Sequence, residues 1–292
     1  MSRNTGTGRK VKQRSLMGEA MIRFLRNPTG LIGLAVIAVM VILSLLAGVI
    51  APEGYDVQDI SQKFLLPCKE HLCGTDNLGR DVFVRLLYGG RTSLIIGVTS
   101  TAFATVFGTT IGALAGFYGG KVDNILMRLM DILNSIPSIL LAIAISAVMG
   151  GGLFNAILAI GISSVPSFAR MMRGPILSAK GQQYVEAARS TDATDIRIIF
   201  KYILPNVSSQ LIVEITMILA NAILTAASLS FLGLGVTPPT PEWGSMISNG
   251  RQYIMKYPYL VTFPGLCIAA IVLALNLVGD GLRDALDPRL KQ

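Results

Sequence analysis

The sequence predicts an all-α integral membrane protein with six transmembrane helices and both termini in the cytoplasm. Three observations carry that reading. Of 292 residues, 52% are hydrophobic and only 14% charged, where soluble domains carry about 25% charged residues. The charges cluster, leaving apolar runs of about 18 residues or more, the length that crosses a bilayer as a helix. With those runs taken as spans, most of the 25 Lys and Arg fall on one side, and the positive side of a membrane protein is its cytoplasmic side.

Residues 1–30 form a basic cytoplasmic arm carrying Arg3, Arg9, Lys10, Lys12, Arg14, Arg23 and Arg26. Beside a bilayer such an arm meets anionic lipid headgroups, so the net charge of +8 calls for no nucleic-acid partner. Residues 31–50 are the first span. They outrun a signal peptide's apolar core and precede no small-residue cleavage site, which reads as a retained helix. Residues 51–92 form an extracytoplasmic loop. The core, 93–280, holds five further spans at 93–117, 124–149, 153–172, 208–232 and 260–278, with a polar loop at 174–206; residues 281–292 are a cytoplasmic tail. Barrel strands would be about ten residues of alternating polarity. Pro137, Pro166 and Pro264 stand where they can kink their spans.

Several chemistries are excluded. No G-x-x-x-x-G-K-[ST] phosphate loop occurs, one histidine cannot make an H-E-x-x-H zinc site, and no G-x-S-x-G elbow is present. The chain offers no catalytic set and no cofactor or metal site of its own. Intramembrane charge is sparse: Asp131 and Glu214 are the pathway candidates, since an acid in a span faces a cavity or a partner. For Glu214 a hydrogen bond within the bundle competes with a charge requirement in the pathway.

The polar loop runs YVEAARSTDATDIRIIFKYILPN from Tyr184 to Asn206. Glu186, Ala187 and Ala188 favour helix, and small alanines admit another surface closely. Ser190, Thr191 and Asp192 favour caps and turns. Leu204 and Pro205 then lead into the fifth span. On these residues alone, a solvated hairpin and a docking element are equally consistent.

E-A-A, a break, a further helix and L-P resemble the coupling loop of binding-protein-dependent ABC importer permeases. So do HLCGTDNLGRD at 71–81, LLYGGR at 86–91, AGFYGG at 115–120, LMRLMD at 126–131, LSFLGLG at 229–235, PPTPEWG at 238–244 and GDGLRDALDPR at 279–289. The order and number of these motifs resemble the dipeptide/oligopeptide/nickel subfamily, C-type, from about residue 23 onward. The resemblance implies the type I importer fold, with short peptides as cargo or, alternatively, nickel or another small solute. A self-sufficient secondary carrier is the reading from a different class. The resemblance further implies a second, homologous permease, two cytoplasmic ATPases that carry ATP and Mg, and an extracytoplasmic substrate-binding protein. Glu186, Ala187, Ala188, Arg189, Asp192, Leu204 and Pro205 would then belong to the ATPase-coupling loop. Asp192 stands where the family carries glycine; we expect it to tolerate the break and to cap the next helix through its carboxylate.

In the outer loops, Asp76, Arg80 and Asp81 are able to pair, either as a structural cap or as an outer gate. Trp243, among Pro238, Pro239 and Pro241, suits interfacial anchoring or docking of the binding protein. Cys68 and Cys73 bracket His71; a disulfide is expected ahead of free thiols or a metal.

Overall fold

The computed structural model describes residues Leu16–Leu286. Arg3–Arg14 of the basic arm and the Arg289–Lys291 end of the tail lie outside the described residues. The first helix, α1 (Leu16–Phe24), leads into α2 (Pro28–Leu45). Asn27 begins α2: its side chain accepts from the Thr29 and Gly30 amides at 3.1 and 3.2 Å, and Pro28 at the first position needs no amide partner. A short turn, Ala47–Ile50, continues it.

The next helix, α3 (Val82–Tyr118), starts well before residue 93, where the apolar run begins. Asp81 caps it, accepting from the Val84 amide at 3.0 Å. Its polar first turns are helical because Val82, Leu86 and Leu87 are buried and Arg85 is held by Asp76 and the Tyr55 carbonyl. Thirty-seven residues rise about 55 Å, against roughly 30 Å of hydrocarbon, so α3 is long enough to cross the bilayer and project beyond it.

The expected third span is not one helix. It is α4 (Gly120–Asn134) and α5 (Ser138–Met149), bent by 82° where Pro137 interrupts the backbone ladder. The remaining long helices are α6 (Leu153–Lys180), α8 (Ser208–Phe231) and α10 (Tyr259–Leu286). Two short ones separate them: α7 (Gln183–Ser190) in the polar loop and α9 (Trp243–Gly250) before α10. Pro166, Pro175 and Pro264 lie inside continuous helices. Among the described residues, five helices are long and apolar enough to cross a membrane, and the bent pair makes a sixth. These residues form no β-strand, only one isolated bridge between Thr75 and Asp81.

The tightest packing joins α3 to α6. Gly108, Gly112 and Gly116 line one face of α3, so backbone meets backbone. A Cβ at these three positions would lie 2.6 Å from Phe168 Cβ, 2.6 Å from the Ala169 carbonyl and 2.9 Å from the Arg173 carbonyl. Small residues four apart are how membrane helices gain dispersion contact where burial from water drives nothing. At one end of the bundle, Phe117, Phe168, Met172 and Ile176 form a buried cluster that takes in the polar loop. At the other, Leu86, Trp243, Met246, Tyr259 and Ile271 close beneath the 51–81 segment, here called the cap.

Candidate functional site

Helix α7 lies on the bundle with one face down. Val185 and Ala188, three residues apart, are buried among Phe117, Phe168, Ile176, Ile198 and Ile203, whereas Glu186, Ala187 and Arg189 are exposed. This corrects one expectation. Ala188 seats the loop on its own bundle; Ala187 is the alanine that offers close approach to another surface. The Arg189 guanidinium stands 5.5 Å over the Phe117 ring, which fixes its direction.

The break after α7 survives at Asp192 through the left-handed backbone expected there, but without the expected cap on the next helix. Asp192 has φ +53°, the left-handed region. Its amide donates to the Arg189 carbonyl at 3.1 Å and the Ala193 amide reaches back to the Ala188 carbonyl at 3.3 Å. That bond pair is a Schellman closure with Asp192 as the residue just past the helix, the place where glycine is commonest. Ala193 packs on the cluster that holds Ala188, the apolar contact that accompanies the motif. Asp192 therefore closes the first helix and does not cap the second. Thr194 does that, accepting from the Arg197 amide at 3.4 Å, with Asp195 in the first turn. We predict that Asp192→Gly raises the thermal midpoint in detergent and that Asp192→Asn leaves it unchanged. Asp192→Leu should cost about 1–2 kcal/mol, the penalty for an ordinary side chain in the left-handed region. A leucine variant as stable as the glycine one would refute the closure.

Beyond Thr194 the chain makes a short helical turn, Asp195–Arg197, then a π-helical turn, Ile198–Ile203, closed by the Leu204 amide on the Ile199 carbonyl at 2.9 Å. Ile198, Ile199 and Ile203 are buried; Ile196 and Phe200, four apart, are 69% and 66% exposed. Leu204 is half-buried and Pro205 exposed. The outward surface of the loop thus carries Glu186, Ala187, Ile196 and Phe200 among Arg197 and Lys201. Sequence reasoning missed Ile196 and Phe200. In IRIIFKYI apolar residues fall on every side, so no period separates the inner ones from the outer.

Asp76, Arg80 and Asp81 are engaged within the cap. Asp76 accepts from the Leu78 and Arg80 amides at 2.8 and 3.0 Å and pairs with Arg80 Nε at 2.8 Å; Arg80 also reaches Asp56 at 3.4 Å. Asp81 does not join this pair. Its carboxylate caps α3 and meets His71 Nδ1 at 2.7 Å, while His71 Nε2 lies 2.8 Å from Gln62 Oε1. Tyr259 pins the cap to α10, its hydroxyl 2.8 Å from the Thr75 carbonyl.

Two further outer expectations are corrected. Cys68 and Cys73 are not bonded. Cys68 Sγ is exposed and accepts from the His71 amide at 3.4 Å, whereas Cys73 packs inward toward the cluster around Tyr259, where burial pushes its thiol up. Trp243 is not a surface anchor: it is 2% exposed and its indole N–H donates to the Leu86 carbonyl at 3.0 Å. The residue before it explains why. Glu242, itself buried, accepts from Ser93 Oγ and the Gly244 amide, each at 2.9 Å, and from the Ser245 amide at 2.8 Å. It thereby fastens the start of α9 to α3.

Asp131 pairs with Arg170 at 2.6 Å, and Asp123 with Arg173 through two bonds, both ties running from α4 to α6 along a groove at the loop end. Of the two readings of Glu214, the hydrogen bond within the bundle is not formed; the residue is half-buried and without a partner among the described residues. Among these residues no group of three or more His, Cys, Asp or Glu side chains is placed to hold a metal.

A bundle of helices long and apolar enough to cross a membrane five or six times is the build of a polytopic membrane protein. The family model for the binding-protein-dependent transport system inner membrane component matches residues 108–292, and that for the N-terminal transmembrane domain of oligopeptide transport permease C matches 15–67. The dipeptide transport system permease protein DppC of Alkalihalophilus pseudofirmus is 43% identical over 94% of this chain and 90% of its own. The glutathione transport system permease protein GsiD of Pectobacterium atrosepticum is 45% identical over 92% of this chain and 90% of its own. The oligopeptide transport system permease protein OppC of Bacillus subtilis is 38% identical over 99% of this chain and 95% of its own. A chain of the MetNI methionine ABC transporter, solved in inward-facing conformations, superimposes with a TM-score of 0.57 at 23% identity, covering 70% of this chain and 96% of its own; it shares the fold. The chain belongs to the family of binding-protein-dependent transport system inner membrane components.

Proposed function

We propose that this permease subunit carries short peptides into the cell within a heteromeric, ATP-driven importer. The relatives support the cargo, being named for dipeptides, glutathione and oligopeptides. In this reading the 174–206 loop faces the cytoplasm, a second permease completes the pathway, and an extracytoplasmic binding protein delivers the peptide. ATP hydrolysis belongs to two partner ATPases that hold the nucleotide and Mg, and this chain needs no cofactor.

The observation that carries the coupling role is the two-faced loop: Val185, Ala188, Ile198 and Ile203 hold it to the bundle while Ala187, Ile196 and Phe200 stay open to solvent. Exposed apolar side chains beside water are costly to leave uncovered and mark a contact surface. ATP-driven closure moves the loop only if the ATPases grip it differently in their two states. The complete importer should be purified through a tag on this chain and the retained ATPase measured. Ala187→Trp or Phe200→Asp should reduce retention by about ten-fold or more, equivalent to about 1.4 kcal/mol, with membrane insertion unchanged. Retention equal to the parent's in both variants would defeat the coupling assignment. Identification of the ligand that copurifies with the partner binding protein tests the cargo.

A further inference from the structure

The open face of α8 differs from the open faces of its neighbours. Where α2, α3 and α10 are exposed within the apolar zone, they mainly show large hydrophobic side chains, such as Val39 and Ile42, Val106 and Phe107, Leu266 and Leu273. Those faces suit lipid. Helix α8 packs against α3, α5, α6, α9 and α10, burying Ile218, Ala220, Ala222, Ile223, Ala226 and Leu229. Away from those contacts Gln210, Asn221 and Leu224 are exposed, and Glu214 and Ser228 are half-buried.

The spacing makes this a line. Glu214, Asn221 and Ser228 are seven residues apart, and on an α-helix each such step drifts only about 20° around the axis. From the start of the helix at Ser208 they rise about 9, 20 and 30 Å, so the line runs nearly the full length of the span. The Ser228 hydroxyl is satisfied by its own helix, donating to the Leu224 carbonyl at 2.9 Å. The Glu214 carboxylate and Asn221 amide have no such partner among the described residues. An acid near one end and an amide at mid-depth, both facing hydrocarbon, would each cost several kcal/mol by the approximate penalty for unsatisfied polar groups in lipid. Water is the solvent that removes that cost.

We infer that the Glu214–Asn221–Ser228 face of α8 lines the aqueous route taken by the transported peptide, along the boundary with the second permease. This rests on the import reading above and adds the surface that the cargo passes. Peptides present amide groups and, at their amino end, an ammonium; amide, hydroxyl and carboxylate side chains match that chemistry without a tight pocket.

The test uses the complete importer in proteoliposomes, with Cys68, Cys73 and Cys267 of this chain replaced by serine. Single cysteines are introduced as Asn221→Cys and Ser228→Cys, with Leu273→Cys on α10, exposed, as the lipid-facing control. A positively charged methanethiosulfonate reagent reacts with thiolate, which forms in water and not in hydrocarbon. Its rate at residues 221 and 228, read from the mass of this chain, should exceed that at 273 by about ten-fold or more. Modification at 221 should then block import, whereas modification of the control should not. Rates at 221 and 228 no faster than at 273 would overturn the inference, as would fast modification at 221 that leaves import intact. Ser228→Cys keeps the accessibility test usable if Asn221→Cys assembles poorly. The accessibility measurement needs no substrate, so a parent importer that fails to carry peptides would count against the cargo and not against a water-lined face.

Discussion

Gly112→Val should leave little folded protein. The substituted Cβ would lie 2.6 Å from the Ala169 carbonyl oxygen, 3.0 Å from Met172 Cβ and 3.2 Å from the Arg173 amide nitrogen. Two of these neighbours are backbone, so no rotamer change relieves the contact. The helices must separate, and Gly108 and Gly116 then lose their close approach to Phe168 and Ile176 as well. Overpacking in a soluble core costs roughly 1–3 kcal/mol and occasionally more. Here the upper end or beyond is expected, because dispersion across this seam has no burial from water to support it. Thermal unfolding in detergent, read with size-exclusion profiles, measures it. Gly174→Ala is the control: nothing lies within 4 Å of a Cβ there, so alanine should be neutral or stabilising by up to about 1 kcal/mol. A Gly112→Val protein with the parent's profile and midpoint would refute the packing account.

The second large effect is expected at Glu242. Three donors converge on its two oxygens inside the bundle: Ser93 Oγ, the Gly244 amide and the Ser245 amide. Glutamine has the same shape but only one acceptor oxygen, so its amide nitrogen must face at least one of these donors. The loss combines a missing hydrogen bond with a buried unsatisfied donor, together about 2–4 kcal/mol. Trp243 should loosen with it, since its backbone and indole N–H groups are placed by the same turn, the first on Ser93 Oγ at 3.3 Å and the second on the Leu86 carbonyl. Trp243 is the chain's one tryptophan, so its fluorescence reports the site directly. Glu242→Gln should lower the unfolding midpoint and shift the emission to the red. An unchanged midpoint together with unchanged emission would show that the turn does not depend on those bonds.

The spans were legible because apolar length is itself the physical requirement for crossing a bilayer. Their ends were less so. The start of α3 contains Arg85, Gly89, Gly90 and Arg91 and reads as loop, yet the cap above it supplies the buried arginine's partners. The third span reads as one apolar run, because run length is blind to the turn at Pro137. At the loop, the identity of Asp192 as a glycine substitute was visible, but its role was not. A Schellman closure is defined by a bond reaching five residues back, which the residue type at 192 does not reveal. Trp243 was misread because prolines announce an exposed loop. The useful signal was Glu242 with Ser245 three residues on, a box with the usual residue types exchanged. The open surface of α8 was half visible: Glu214 stood out as an intramembrane acid, while its alignment with Asn221 and Ser228 emerges only once the helix's other sides are filled.

The burial of Val185, Ala188, Ile198 and Ile203 against Phe117, Phe168 and Ile176 has a mechanical consequence. A loop tethered only at its ends deforms when pressed and dissipates the stroke in its own backbone. This one shares a close-packed cluster with α3, α6 and the start of α8, and protein interiors are nearly incompressible. In the proposed coupling role, a push on α7 would therefore arrive as movement of several spans together, with the ion pairs from Arg170 and Arg173 linking α4 to them. The loop has given up its own freedom of movement, so its displacement is that of the bundle.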